Sequence, residues 1–269
     1  MKKIFYLFLI PLLFAGCSKE TALLPEPSLI GGTVSVRSRS ELSNGPQSSS
    51  AIRSDAFIRA AGDAALTYTF EAWTRDADPR CVLHRTVTGT LAEAAFGIAL
   101  IPGNYDFLFW ADYGKGVYAT DNLRRVSLVQ TPYTPSSDRD AFACALRNVR
   151  WNGGNGVGAT LTRPLARLTI QNTSPFATSG KTVSVSYRNT PTQYDVLTGT
   201  SSAPAAEITL AFPMTTAGSA VVGEDFIFVP SEGKSVGLTI TVGDVEKELN
   251  ALSLKPNYQT NVTATMDNF

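Results

Sequence analysis

From Leu66 onward the chain alternates between apolar and polar residues, and a period of two admits little except layered β-sheet. Leu66, Tyr68, Phe70 and Ala72 interleave with Thr67, Thr69, Glu71 and Trp73, so one face of the strand is buried and the other partly exposed. The same texture recurs between turn residues to the C-terminus. Cys81–Thr88 follows the Asp78-Pro79 turn. Phe96–Ile101 and Tyr105–Trp110 are joined by Pro102-Gly103-Asn104, where proline presets one dihedral and glycine or asparagine accepts positive φ. Val126–Val129 and Ala141–Val149 complete a first block. A second block offers strands at Leu165–Gln171, Thr182–Tyr187, Ala206–Ala211, Asp225–Pro230, Val236–Val242, Val245–Leu252 and Gln259–Thr265. Short strands at this spacing predict an all-β fold of two tandem sandwiches. Helix is expected only briefly, at Leu91–Ala95 and Asp121–Arg125.

The segment Trp151-Asn152-Gly153-Gly154-Asn155-Gly156 reads as the internal boundary, because so much glycine sits poorly inside a packed element. The expected organisation is therefore 61–152 for the first sandwich and 153–269 for the second. The strand Tyr105–Trp110 is apolar on both faces, with Tyr105, Phe107 and Phe109 on one and Leu108 and Trp110 on the other. Such a strand is central and buried.

The N-terminus carries an address. Lys2 and Lys3 precede the apolar run Ile4–Phe14, which is too short for a permanent membrane span, and Leu13-Phe14-Ala15-Gly16 leads into Cys17. That ending resembles the lipobox of bacterial lipoproteins, which implies removal of residues 1–16, acylation of Cys17 and tethering by lipid. No later stretch approaches the roughly 18 continuous apolar residues of a spanning helix.

Residues 18–32 read as linker, Thr33–Arg37 as a short strand and Glu41–Ser50 as loop. Arg37, Arg39, Arg53 and Arg59 punctuate this region. Flexible polar loops are where proteases cut. A cut here would release the upstream piece, and a strand lost from a sandwich exposes backbone groups that another chain can fill. The alternative is a plain tether that lifts the sandwiches off the membrane.

Composition excludes several functions. Lys plus Arg and Asp plus Glu each total 23, so no basic excess exists to attract nucleic acid. The charged share is 17% against 43% hydrophobic. His84 is the only histidine and stands in a strand, so catalysis has no visible constellation and an enzyme is not expected. Asp76 and Asp78 flank a turn, where aspartate bonds its own backbone. One histidine with Cys81 and Cys144 lacks the paired spacing of a zinc site, and no cofactor is called for. Cys81 and Cys144 could pair in an oxidising compartment, or sit as two separate buried thiols. Tyr113 and Tyr118, beside Gly114 and Gly116, are candidate ligand contacts.

Taken together these residues resemble the fimbrillin family, the type V pilins and fimbrillin-like lipoproteins of Bacteroidales. The carriers are the lipobox at Cys17, IPGNYDFLFWADYG from Ile101 to Gly114, RPLARLTIQNT from Arg163 to Thr173, DFIFVP from Asp225 to Pro230, and LKPNYQTNVTA from Leu254 to Ala264. The resemblance implies two transthyretin-like Greek-key sandwiches and export as an outer-membrane lipoprotein. It implies cleavage of the leader, residues 17–60, by a trypsin-like protease. Assembly with other pilin subunits by strand exchange would follow, giving an adhesive fimbria on the cell surface. By position the processing site matches Arg59, with Arg53, Arg39 and Arg37 as fallbacks. A surface lipoprotein that binds glycan or a host ligand without polymerising is the alternative.

Overall fold

The computed structural model describes residues 28–41, 43–44, 65–129, 136–172, 183–202, 206–212, 221–230 and 234–264. Within them the first half runs β1 (Ile30–Ser38), β2 (Ser43–Asn44), β3 (Leu66–Thr74), β4 (Cys81–Gly89), β5 (Ala94–Leu100), β6 (Gly103–Asp112), β7 (Tyr118–Ala119), β8 (Val126–Leu128), β9 (Ala141–Trp151) and β10 (Gly154–Leu161). The second half runs β11 (Leu165–Asn172), β12 (Val183–Thr190), β13 (Gln193–Asp195), β14 (Thr200–Ser202), β15 (Ala206–Phe212), β16 (Val221–Phe228), β17 (Val236–Val242), β18 (Val245–Leu252) and β19 (Tyr258–Ala264). Helix among the described residues is confined to two 3₁₀ turns, Leu123–Arg125 and Ser136–Arg139. Leu91–Ala95, expected to be helical, instead leads into β5, whose residues alternate strictly between buried and exposed.

Two sheets share the first core. One has the order β10-β1-β5 and the other β4-β3-β6-β9. Phe70, Phe96, Phe107 and Phe109 fill the space between them, with Phe70 and Phe107 edge-on at 5.1 Å. β6 is central, paired with β3 and β9, as its apolar faces predict. A second core lies between β16-β11-β19-β2 and β15-β12-β17-β18, built from Leu168, Ile170, Val185, Tyr187, Leu238 and Ile240 among others. The chain is all-β, in several sheets.

A third core joins the two pairs. The outward face of β6 presents Leu108 and Trp110 to Leu165, Phe226 and Phe228 from β11 and β16. The small sheet β14-β13-β8-β7 closes over it. Trp110 is fully buried, edge-on to Tyr118 at 5.1 Å, and its indole N–H donates to Asp112 Oδ2 at 2.7 Å. Burial therefore does not leave its one polar atom unpaired.

The glycine-rich segment turns out to lie within the first sheet pair. Gly153 and Gly154 adopt φ of 81° and 92° and turn the chain tightly from β9 into β10. Gly156, at φ 146°, is the extra residue where the β1–β10 register shifts between Thr33 and Val34. β10 then places Ala159 and Leu161 in the first core. Here glycine serves a turn and a bulge, not a boundary, and the first sheet pair extends to Leu161 instead of ending at 152.

Of the two readings of Cys81 and Cys144, the disulfide is not met: both are free thiols, Cys81 exposed and Cys144 partly buried. Cys81 opens β4 and Cys144 sits mid-β9, at the two edges of one four-stranded sheet. Three strand spacings separate them, about 14 Å, beyond the reach of a disulfide.

Buried charge accompanies the third core. Arg139 Nε lies 2.8 Å from Asp225 Oδ1, with both side chains almost fully buried. The two are close but poorly aligned for a hydrogen bond, so desolvation wins. Burial pushes the Asp225 carboxyl up to about 6, against the opposing pull of Arg139.

Three outcomes follow. Trp110→Ala should cost about 3–5 kcal/mol in denaturant unfolding, the range for deleting a buried aromatic side chain. Unreduced, denatured protein should be alkylated at both Cys81 and Cys144, as read by peptide mass. For Asp225 the folded pKa lies above the unfolded one, so the native state binds the extra proton between about pH 6 and 4. Acidification from pH 7.5 to 5 should stabilise the native protein relative to Asp225→Asn by about 1 kcal/mol, measured by thermal unfolding of both.

Candidate functional site

The site is the groove that β1 occupies. Its sequence alternates Val34 and Val36 with Ser35 and Arg37; the valines are buried and the other two exposed. On one side β1 pairs antiparallel with β5, from Ile30 opposite Leu100 to Val36 opposite Ala94. On the other it pairs parallel with β10, from Gly32 opposite Gly154 to Ser38 opposite Leu161. Beside the valines, on the flanking strands of the same sheet, lie Phe96, Ile98 and Leu161, and Phe70 of the facing sheet lies 5.4 Å from Phe96, tilted by 40°. Each buried valine stabilises by roughly 1.5–3 kcal/mol, and the ladder satisfies backbone groups on both flanks.

Side chains clasp the strand at both ends. The Trp151 indole N–H donates to the Ile30 carbonyl at 3.0 Å. At the far end Ser38 N–H donates to Leu91 O and Arg39 N–H to Leu161 O, both at 2.9 Å. Ser38 Oγ lies 3.1 Å from the Tyr68 hydroxyl, which donates to Thr90 O.

Beyond the strand the segment reaches a buried charge cluster. Arg163 is 4% exposed and holds Asp140 through two bonds, Nε to Oδ1 at 2.5 Å and Nη2 to Oδ2 at 2.7 Å. Its Nη1 donates to Asn257 Oδ1 at 2.9 Å, and Nη2 also donates to the Ser40 carbonyl at 3.3 Å. The guanidinium lies 5.1 Å over Phe142 and 5.5 Å over Phe226. Burial raises the Asp140 carboxyl while Arg163 pulls it down. Ser43 and Asn44 then pair parallel with Tyr258 and Gln259 of β19. One short segment, residues 30–44, is thus bound by the first sheet pair, the Arg163 cluster and the second sheet pair in turn.

The residues singled out from sequence fall unevenly around this groove. Arg37 lies within β1 and its Nε donates to Thr160 Oγ1 at 3.1 Å. Arg39 follows the strand, exposed, 3.9 Å from Glu41. Cys17, Arg53 and Arg59 lie outside the described residues. Tyr118 is not a surface contact: it is 7% exposed, packs against Trp110 and Phe228, and donates its hydroxyl to Arg139 O. Tyr113 is half-buried against the first core, so the two tyrosines serve different cores and form no platform. His84 stands exposed on β4 with Nδ1 3.0 Å from Glu71 Oε1. Glu71, buried, also accepts from Trp73 Nε1 and Leu123 N–H. Among the described residues no cluster of His, Cys, Asp and Glu could hold a metal ion.

Sequence reasoning missed Trp151, Asp140 and the clasp made by Arg163. The available signal was an arginine placed just before an apolar strand, at Arg163-Pro164, where a charge can be kept only by burying a partner with it.

Solved structures with the same fold are known. A proposed polysaccharide-binding protein of Bacteroides thetaiotaomicron aligns with a TM-score of 0.53 at 12% identity, covering 86% of this chain and 90% of that one. A proposed adhesin of Bacteroides ovatus aligns at 0.53 and 10% identity, covering 88% and 89%. Another proposed adhesin of Bacteroides thetaiotaomicron aligns at 0.50 and 11%, covering 91% and 94%. At such identity the likeness is one of fold. No curated protein sequence matches the chain. One family model matches residues 30–266, from the first residue of β1 to beyond β19, and the chain therefore belongs to that family, described as a family of unknown function, DUF6562.

Proposed function

We propose that the chain is a structural adhesion subunit of a type V fimbria, exported as a lipoprotein and assembled by strand exchange after its leader is cut away. In this reading residues 1–16 are the export signal, Cys17 carries the lipid to the outer membrane, and the leader is removed from Cys17 up to the cut after Arg59. What remains is two tandem transthyretin-like Greek-key sandwiches. The carrying observation is β1 itself, a strand paired on both edges, with Val34 and Val36 in the core, that belongs to the leader. Twenty-one residues separate Asn44 from Leu66, and Arg53 and Arg59 fall among them. A trypsin-like cut there would free β1 and β2 together and leave β5 and β10 with unpaired edges, which a strand from another subunit can fill.

The place of Arg37 also bears on the choice of arginine. Arg37 lies within β1 opposite Thr160 of β10, with its Nε bonded to Thr160 Oγ1, and a protease needs an extended segment it can pull free. This supports a cut beyond the strand, with Arg59 first and Arg53 next. The adhesive roles proposed for similar structures accord with a place on the cell surface. The alternative, a glycan-binding lipoprotein that never polymerises, loses its aromatic platform with the burial of Tyr118.

Treating the purified precursor with an arginine-specific protease should give a product beginning at Ala60 and oligomers linked by non-covalent strands, seen by N-terminal sequencing and size-exclusion chromatography. Persistent monomers with Arg53 and Arg59 uncut would overturn the proposal.

A further inference from the structure

The β1 groove is shaped around one position of its occupant. A Cβ built on Gly32 would come within 2.6 Å of Trp151 Cη2 and 2.9 Å of Cζ2, and would also strike the Gly154 carbonyl oxygen. Neither can yield cheaply. Trp151 is 2% exposed, packs on Phe107 at 6.1 Å between centroids, and is tied by its N–H to the Ile30 carbonyl. Gly154 is backbone within the β1–β10 ladder.

That contact acts together with the strand's alternation. Sliding the occupant by one residue would turn Thr33 and Ser35 inward and both valines out, burying hydroxyls in an aromatic core. One such slip brings Gly31 under Trp151 and is still excluded by this inversion. Sliding by two keeps the apolar face inward but brings Ile30 or Val34 beneath the indole, where no side chain fits. Only the observed register meets both demands. Eight residues past Gly32, Arg163 donates to the Ser40 carbonyl, a second fixed point read from backbone alone.

We infer that this groove is a register-selective receptor for a strand from another chain. The strand it takes has a glycine under Trp151, compact apolar residues two and four positions later, and a free backbone carbonyl at the position of Ser40. This rests on the strand-exchange reading above and adds which strands qualify. The outward positions, Ser35 and Arg37 in the resident strand, are exposed and free to vary. The recognition is thus carried by an absent side chain and by backbone, and one groove accepts donors that differ widely in their polar residues.

The test uses the full chain with the recognition sequence of a site-specific protease placed within residues 45–59. After cutting, labelled peptides spanning residues 28–44 compete with the resident segment, followed by fluorescence anisotropy. The native peptide should enter, and the Gly32→Val peptide should compete about tenfold or more weakly. A Ser35→Thr peptide should enter like the native one. In the Trp151→Leu protein the penalty on the Gly32→Val peptide should shrink; the peptide comparison stands on the unsubstituted protein if that variant fails to fold. Equal entry of the native and Gly32→Val peptides would overturn register selection and leave strand exchange intact. Entry of neither peptide would overturn both.

Discussion

Strands β5 and β10 meet only through β1. Among the described residues each has no other neighbour in their three-stranded sheet, so the facing edges of both are met by β1. Everything above Phe70 and Phe96 depends on that insertion, because a sheet of two unjoined edges cannot cover an aromatic core. The same segment continues past Arg163 into the second sheet pair, so its hold on the molecule is distributed over two sheets and a buried charge cluster.

The charge cluster and the third core explain why the two sheet pairs meet firmly. Trp110, Phe226 and Phe228 supply the apolar contact, while Arg163 with Asp140, and Arg139 with Asp225, are desolvated beside it. A buried pair of this kind adds little net stability, yet removing one partner strands the other. Arg163 spends its donors on Asp140, Asn257 and Ser40, which leaves one of its bonds dependent on the segment that follows β1.

Much of this was legible in the residues. Val236–Val242 and Val245–Leu252 stand as strands with the bounds their alternation predicts, and Thr33–Arg37 lies inside β1. The two-faced apolarity of Tyr105–Trp110 marked a central strand, because only a strand covered on both sides can carry it. β10 was hidden because its glycines look like a break, although turn and bulge geometry is the reason they are there. The burial of Tyr118 and the separation of the two cysteines were hidden for a different reason. Their neighbours are set by strand order in the sheets, and local spacing carries no trace of strand order.

The parallel union of β1 with β10 bears on the order of events during folding. Arg37 and Thr160 touch across 123 positions of sequence, and no hairpin can shorten that path. During synthesis β1 emerges before both of its partners, but it has no place to lie until Leu161 has been made and β5 has formed. A segment made before its partners is therefore the last to dock, and its backbone groups stay unpaired while the rest of the chain takes shape.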